Sequence, residues 1–300
     1  TPFSDDYVSH LQALLPIIKS DTLWDKLALI FTIDFEHRLG FNKIVFYMVY
    51  CVLGEIDLKM SVYIGSIGFL GFLFFIYKVL PERKEKIFLL LPPALIIFQL
   101  KQNWVHMIWS SSIQFVCALC FSGWAFYFLG KNSQKYFYSA VFFTLCALFT
   151  QGSGVATLIA GGVILIAQKR FKLAGVLLVG ALPLLAFYFK NFGYNTSYVV
   201  SSFSDIERVV RFYVSFLGSS ASFEFEHRIR LFSLGAVIIG YFSFLLRKKY
   251  YMINPTVFGF MIYVFIVAAM VALHRSGMGE NAVFANRYKI YSLTMLVLVY

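Results

Sequence analysis

The sequence predicts an all-α fold: a polytopic bundle of transmembrane helices with further helices lying on the external membrane surface. Three observations predict it. Hydrophobic residues make up 60% of the 300 and charged residues only 14%, against roughly 45–50% and about 25% in soluble domains. The apolar residues gather into successive runs of near-spanning length. The connections between those runs alternate between short basic stretches and longer stretches of mixed charge.

The runs lie at 60–79, 87–100, 105–129, 136–150, 152–168, 173–189, 231–246 and 255–273, with a further one from 290. A span needs about 20 residues, so the short runs at 87–100 and 136–150 must borrow neighbours. The chain opens on TPFSDDY without an initiator Met and stops within IYSLTMLVLVY. It therefore reads as a fragment: an external loop over 1–58, following a span that lies upstream, and a bundle over 59–300 truncated at its C-terminal end.

Orientation comes from charge. Lys78 with Arg83, Lys84 and Lys86, then Lys131 with Lys135, then QKRFK at 168–172, then RKKYY at 247–251 form the basic set. The positive-inside rule places that set in the cytoplasm. Of the 15 acidic residues only Glu82 and Glu85 then share the cytoplasmic side, and all 5 histidines fall outside. The net charge of +11 thus reads as an orientation signal and a contact with lipid head groups, which excludes nucleic acid as its reason. The expected location is the plasma (inner) membrane, with the working face periplasmic or extracellular.

The first external segment is rich enough in apolar residues to form helices. DDYVSHLQALLPIIKS lines up Tyr7, Leu11, Leu14, Leu15 and Ile18 as one stripe. DTLWDKLALIFTI offers Asp21 as an N-cap, with Leu23, Leu27, Ala28 and Phe31 apolar. NKIVFYMVYCVLG is short for a span and predicts an interfacial or re-entrant helix. The adjacent Asp5 and Asp6 fit a helix N-terminus. They equally fit a general base or a divalent-cation ligand at the membrane surface. No spaced DxD set accompanies them, so a divalent cation is left open as a cofactor.

In the second external segment, 190–229, Arg208 and Arg211 lie on one helical face. That spacing suits a phosphate or an anionic head group, or an ordinary ion pair with Asp205 or Glu207. NTS at 195–197 is a formal glycosylation sequon. In the third, Arg275, Glu280, Arg287, Tyr288 and Lys289 surround Gly277 and Gly279. Arg287 at the entrance of the last span needs a partner, either a phosphate or an external acid such as Glu280. Cys117 and Cys120 have CxxC spacing but lie in an apolar run without neighbouring ligands, where Cys packs as a small hydrophobe.

Three stretches, taken together, resemble a bacterial enzyme family. They are the acidic pair followed by surface helices and EHR (Asp5, Asp6, Glu36, His37, Arg38), then QNWVHMIWSSSIQF at 102–115 with FTQGSGVATLIAGGVILI at 149–166, then HRSGMGENAVFANRYKIYS. The pattern is similar to GT-C class multi-spanning membrane glycosyltransferases, in particular a group using polyprenyl-linked sugar donors. That resemblance implies transfer of a sugar from a polyprenyl phosphate or diphosphate to an acceptor on the external face. It implies Asp5 or Asp6 as the base that activates the acceptor. It also implies Arg275, Arg287 and Tyr288 on the donor phosphate, with Glu36, His37, Arg38 and His106 in the same cavity.

Other readings compete. An O-antigen-type polymerase or ligase also uses external arginines. A lipid or polysaccharide transporter would expect ionisable residues in mid-span and inverted repeats, and the spans here are nearly free of charge. An acyltransferase would rest on His106 or His274. FEHR occurs twice, at 35–38 and 225–228, without shared flanking register. Only the first copy matches the family pattern; the second reads as a charged collar at the start of a span. The oligomeric state is not legible.

Overall fold

A computed structural model describes residues 11–34, 37–131, 133–192, 203–222 and 228–300. Among these the fold is all-helical, and the one β-type pairing is an isolated antiparallel bridge between Asp34 and His37.

The described residues open with three helices that build a small core of their own: α1 (Ala13–Lys19), α2 (Leu23–Ile30) and α3 (Gly40–Leu53). The buried pair on α1 is Leu14 and Ile17, while Leu15 is exposed. The expected stripe is thus shifted, because an i,i+3 pair is what meets Phe46 of α3 and Ile113 in this small core. The cap of α2 is Thr22, whose hydroxyl accepts the Asp25 N–H at 3.1 Å, so Asp21 lies one residue before the cap. Leu23 and Trp24 stay bare on the outside. At 14 residues α3 is about 21 Å long, short of the roughly 30 Å hydrocarbon core.

The bundle follows. Helix α4 (Leu58–Val79) starts at Asp57, whose carboxylate accepts from the Lys59 N–H at 2.8 Å. The run expected at 87–100 is broken into α5 (Lys86–Leu89) and α6 (Leu91–Ile97), the latter opening on two prolines. The run expected from 105 is also interrupted. Helix α7 (Leu100–Ile108) stops at Trp109, whose backbone is extended, and a 3-10 turn at Ser110–Ser112 leads into α8 (Ile113–Gly130). Next come α9 (Gln134–Thr150), α10 (Gly154–Ala167), α11 (Phe171–Phe189), α12 (Phe203–Leu217), α13 (Arg228–Arg247), α14 (Tyr250–Ile253), α15 (Pro255–Arg275) and α16 (Asn286–Val299).

Five helical stretches among the described residues are long and apolar enough to cross a membrane: Leu58–Val79, Ser110–Gly130, Phe171–Phe189, Arg228–Arg247 and Pro255–Met278. The runs at 87–100, 136–150, 152–168 and from 290 are carried by shorter helices. In α8 the most apolar window is 72% buried, against 22% in α11 and in α13. So α8 and α15 form the centre, and the flanking helices turn side chains such as Val179, Leu182 and Val237 outward. A broad bare apolar surface of this kind suits lipid contact and supports a membrane protein.

Close approach at the centre depends on small residues. Gly68 and Gly71 of α4 face Cys117 and Cys120 of α8, and a Cβ at Gly71 would stand 2.9 Å from the Cys120 sulfur. The CxxC spacing therefore serves helix packing. An aromatic cluster of Phe72, Phe75, Phe126, Phe260 and Tyr263 fills the space between α4, α8 and α15.

Candidate functional site

A cavity of about 630 Å³ opens at one end of the bundle. Its wall comes from the first turns of α8, α10 and α16, the last turns of α11 and α15, and from Asp34, His37 and Leu39. The opposite ends of α8, α10 and α11 carry Lys131, Lys169, Arg170 and Lys172, and the start of α9 carries Lys135. The cavity and the basic connections therefore lie at opposite ends.

The turn that makes the cavity's cationic side begins at the end of α15, where His274 and Arg275 occupy the last turn. Basic groups there complement the helix dipole. The chain then reverses through Gly279, at φ +95, a conformation that glycine adopts without a steric penalty. It returns as the first turn of α16, bringing Arg287 and Tyr288 to the same wall. The Arg287 guanidinium lies 5.2 Å from the centre of the Tyr288 ring, and that ring packs edge-on against Phe115.

The floor is the α9–α10 connection. Gln151 Oε1 accepts from Ser153 Oγ and from the Tyr291 hydroxyl, both at 2.8 Å. These bonds fix a side chain within the cavity wall. Gly152 lies so close to His37 that a Cβ there would meet Nδ1 at 2.8 Å. The glycine lets the imidazole rest on the turn.

Opposite stands the 34–39 segment. Paired backbone bonds between Asp34 and His37, at 2.8 and 3.0 Å, hold both residues at the cavity. Lys43, only 2% exposed, reaches Asp34 Oδ2 at 2.7 Å and donates to Thr32 Oγ1 at 2.8 Å. Burial pulls the Lys43 ammonium below its ordinary pKa, and Asp34 opposes that pull.

Of the residues singled out on sequence, His37, Arg275, Arg287 and Tyr288 line this cavity. Arg38 and His106 do not. Arg38 is a clamp: Nε donates to the Tyr188 carbonyl at 2.8 Å, Nη2 to the Lys190 carbonyl at 2.6 Å, and Nη1 to the Phe31 carbonyl. Its guanidinium also lies over the Phe187 ring at 4.7 Å. It fastens the 34–39 segment to the end of α11. His106 is fully buried with its ring 5.4 Å from that of Phe115. Gln102 and Asn103, from the second family-like stretch, are also fully buried and bond to the carbonyls of Ser220 and Ile97.

Asp5, Asp6, Glu36 and most of the second FEHR copy lie outside the described residues. Among the described residues no three His, Cys, Asp or Glu side chains gather as a metal-holding group. The divalent-cation expectation therefore stays with Asp5 and Asp6.

Reading the sequence missed Asp34, Gln114, Gln151 and Tyr188 as cavity residues and gave His274 no part in the leading assignment. Gln151 carries a signal, a lone amide before Gly-Ser-Gly in an apolar chain. Asp34 carries a weaker one, an acid four residues before Arg38.

Chemically, the site joins two guanidiniums, two imidazoles and one carboxylate on largely apolar and aromatic walls. Three helix N-termini in the wall add positive dipole ends. The arrangement suits an anion with an apolar portion, and the volume falls within the roughly 300–1,000 Å³ typical of small-molecule sites. No family model, curated protein or solved structure matches the chain.

Proposed function

We propose that this chain is a membrane glycosyltransferase that moves a sugar from a polyprenyl-phosphate or -diphosphate donor to an acceptor at the external face. The observation that carries the reading is the meeting of His37, Arg275, Arg287 and Tyr288 in one cavity, although 250 residues separate His37 from Arg287. Its position opposite the basic connections supports an external site through the positive-inside rule.

The reaction asks for two things. The acceptor hydroxyl attacks the anomeric carbon and loses its proton to a carboxylate, for which Asp5 and Asp6 are the candidates. The bond from the anomeric carbon to the phosphate oxygen breaks, and cationic groups offset the charge on the departing phosphate. Arg275 and Arg287 serve that second role. Asp34 is engaged by Lys43 at 2.7 Å and serves better as an anchor for the 34–39 segment than as the base.

The test uses protein reconstituted in liposomes with a polyprenyl-linked donor carrying a labelled sugar. Arg275→Ala and Arg287→Ala should each lower kcat/KM for the donor by roughly 10- to 100-fold, the value of one charged hydrogen bond. Asp5→Asn with Asp6→Asn should remove turnover while donor binding persists. Wild-type donor dependence in both arginine variants would sink the reading.

A further inference from the structure

A second cavity, about 410 Å³, opens between α12 and the first turns of α13 and shares no lining residue with the first. Arg208 and Arg211 reach it from α12, and Arg228 from the start of α13. Phe212, Ile229, Leu231, Phe232 and Val283 supply an apolar wall, and no carboxylate is among its described lining residues.

The arginines are partly occupied. Arg208 Nη1 meets Asp205 at 2.8 Å, Arg211 Nη2 meets Glu207 at 2.5 Å, and Arg228 Nη2 donates to Asn281 Oδ1 at 3.0 Å. The Arg211–Glu207 pair, exposed on both sides, contributes little, and a guanidinium has five N–H donors. The Arg208 Nε is buried without a partner. The groove thus keeps donor capacity for an anion.

What lies beside those donors decides the class of ligand. Ile229 is 82% exposed and Phe232 44% exposed, at the end of a helix long and apolar enough to cross a membrane. Guanidiniums and bare apolar side chains therefore meet at the level where that helix begins. A free phosphate would use the first and gain nothing from the second. A membrane lipid with a phosphate head uses both.

We propose that this groove binds an anionic glycerophospholipid of the surrounding bilayer. Its phosphate sits among Arg208, Arg211 and Arg228, and an acyl chain runs along Ile229 and Phe232. The proposal stands apart from the glycosyltransferase reading, since it needs neither that chemistry nor that cavity.

Native mass spectrometry of the detergent-purified protein tests it, with phosphatidylglycerol and phosphatidylcholine offered in equal amounts. The wild type should retain phosphatidylglycerol about tenfold over phosphatidylcholine, as expected for one charged phosphate contact. Arg208→Gln, Arg211→Gln and Arg228→Gln combined should abolish that preference, and millimolar inorganic phosphate should leave it intact. Equal retention of the two lipids by the wild type would overturn the proposal, whether or not the triple variant folds. So would full retention by a folded triple variant. Displacement by inorganic phosphate would make this an anion site only. Displacement by equimolar polyprenyl phosphate would make it a donor-lipid site. Either result also overturns the assignment.

Discussion

His37 rests on Gly152: a methyl group at position 152 would stand 2.8 Å from its Nδ1 and 3.1 Å from its Cε1. The imidazole and the α9–α10 turn therefore occupy one space, and that contact sets where the ring can sit within the cavity.

The first prediction follows from that contact. On the glycosyltransferase proposal, Gly152→Ala should displace His37 from the cavity wall and raise the donor KM by roughly tenfold, the cost of one lost polar contact. Thermal stability should change little, because the ring can swing into the open cavity. Steady-state kinetics beside a melting curve separates the two effects. An unchanged donor KM would remove His37 from the donor site.

Arg38 should matter for stability more than for binding. Arg38→Ala leaves the carbonyls of Phe31, Tyr188 and Lys190 without their donor. A loss of about 1–3 kcal/mol is expected for the buried groups so exposed. Arg38→Lys should recover only part of it, since an ammonium cannot fork to three carbonyls. Denaturation midpoints of the three proteins decide this, and a midpoint unchanged in Arg38→Ala would refute the clamp.

The Lys43–Asp34 pair gives a third test. Lys43→Met should cost roughly 3–5 kcal/mol, because it leaves a carboxylate that is largely enclosed without its partner. Adding Asp34→Asn should restore part of that loss, so the two changes should be strongly non-additive. Additive costs in a double-mutant cycle would show that the two groups do not interact.

Helix packing makes the fourth. Gly71→Ala should destabilise by about 1–3 kcal/mol through overpacking against Cys120, since the added Cβ would stand 2.9 Å from its sulfur. Cys120→Ala in the same protein should relieve the clash. If the second change fails to rescue stability, the α4–α8 contact is not the cause.

Much of this architecture is legible in the residues themselves. Apolar runs and flanking lysines announce α4, α11, α13 and α15, because span length and charge are local properties. The breaks at Leu90, just ahead of Pro92 and Pro93, and at Trp109 were harder, because apolar content continues through both. Thr22 against Asp21 shows the same limit, since two adjacent capping side chains differ only in which one the chain aims at the helix.

For the site, Arg287 stood out because a cation at a span entrance needs a partner, while Arg275, Tyr288 and Arg38 were assigned through the family resemblance. Arg38 proved to line no cavity. A charge in a sequence shows that a partner is needed but not which one. Two of its three carbonyl partners, Tyr188 and Lys190, come from the end of α11, 150 and 152 positions away, so nothing near Arg38 could reveal them. Asp34 was missed because its signal is weak: it stands beside a second acid, Glu36, and its partner Lys43 lies nine residues further on.

The Arg38 clamp also sets a timetable for biogenesis. Its bond to Tyr188 joins residues 150 positions apart in the chain. At roughly 5–20 residues per second of translation, that partner emerges about 8–30 s after the arginine. Through that interval the guanidinium must be kept in water or among head groups, so residues 31–39 wait at the membrane surface. The cavity closes late, only once α11 has been inserted and offers its final carbonyls.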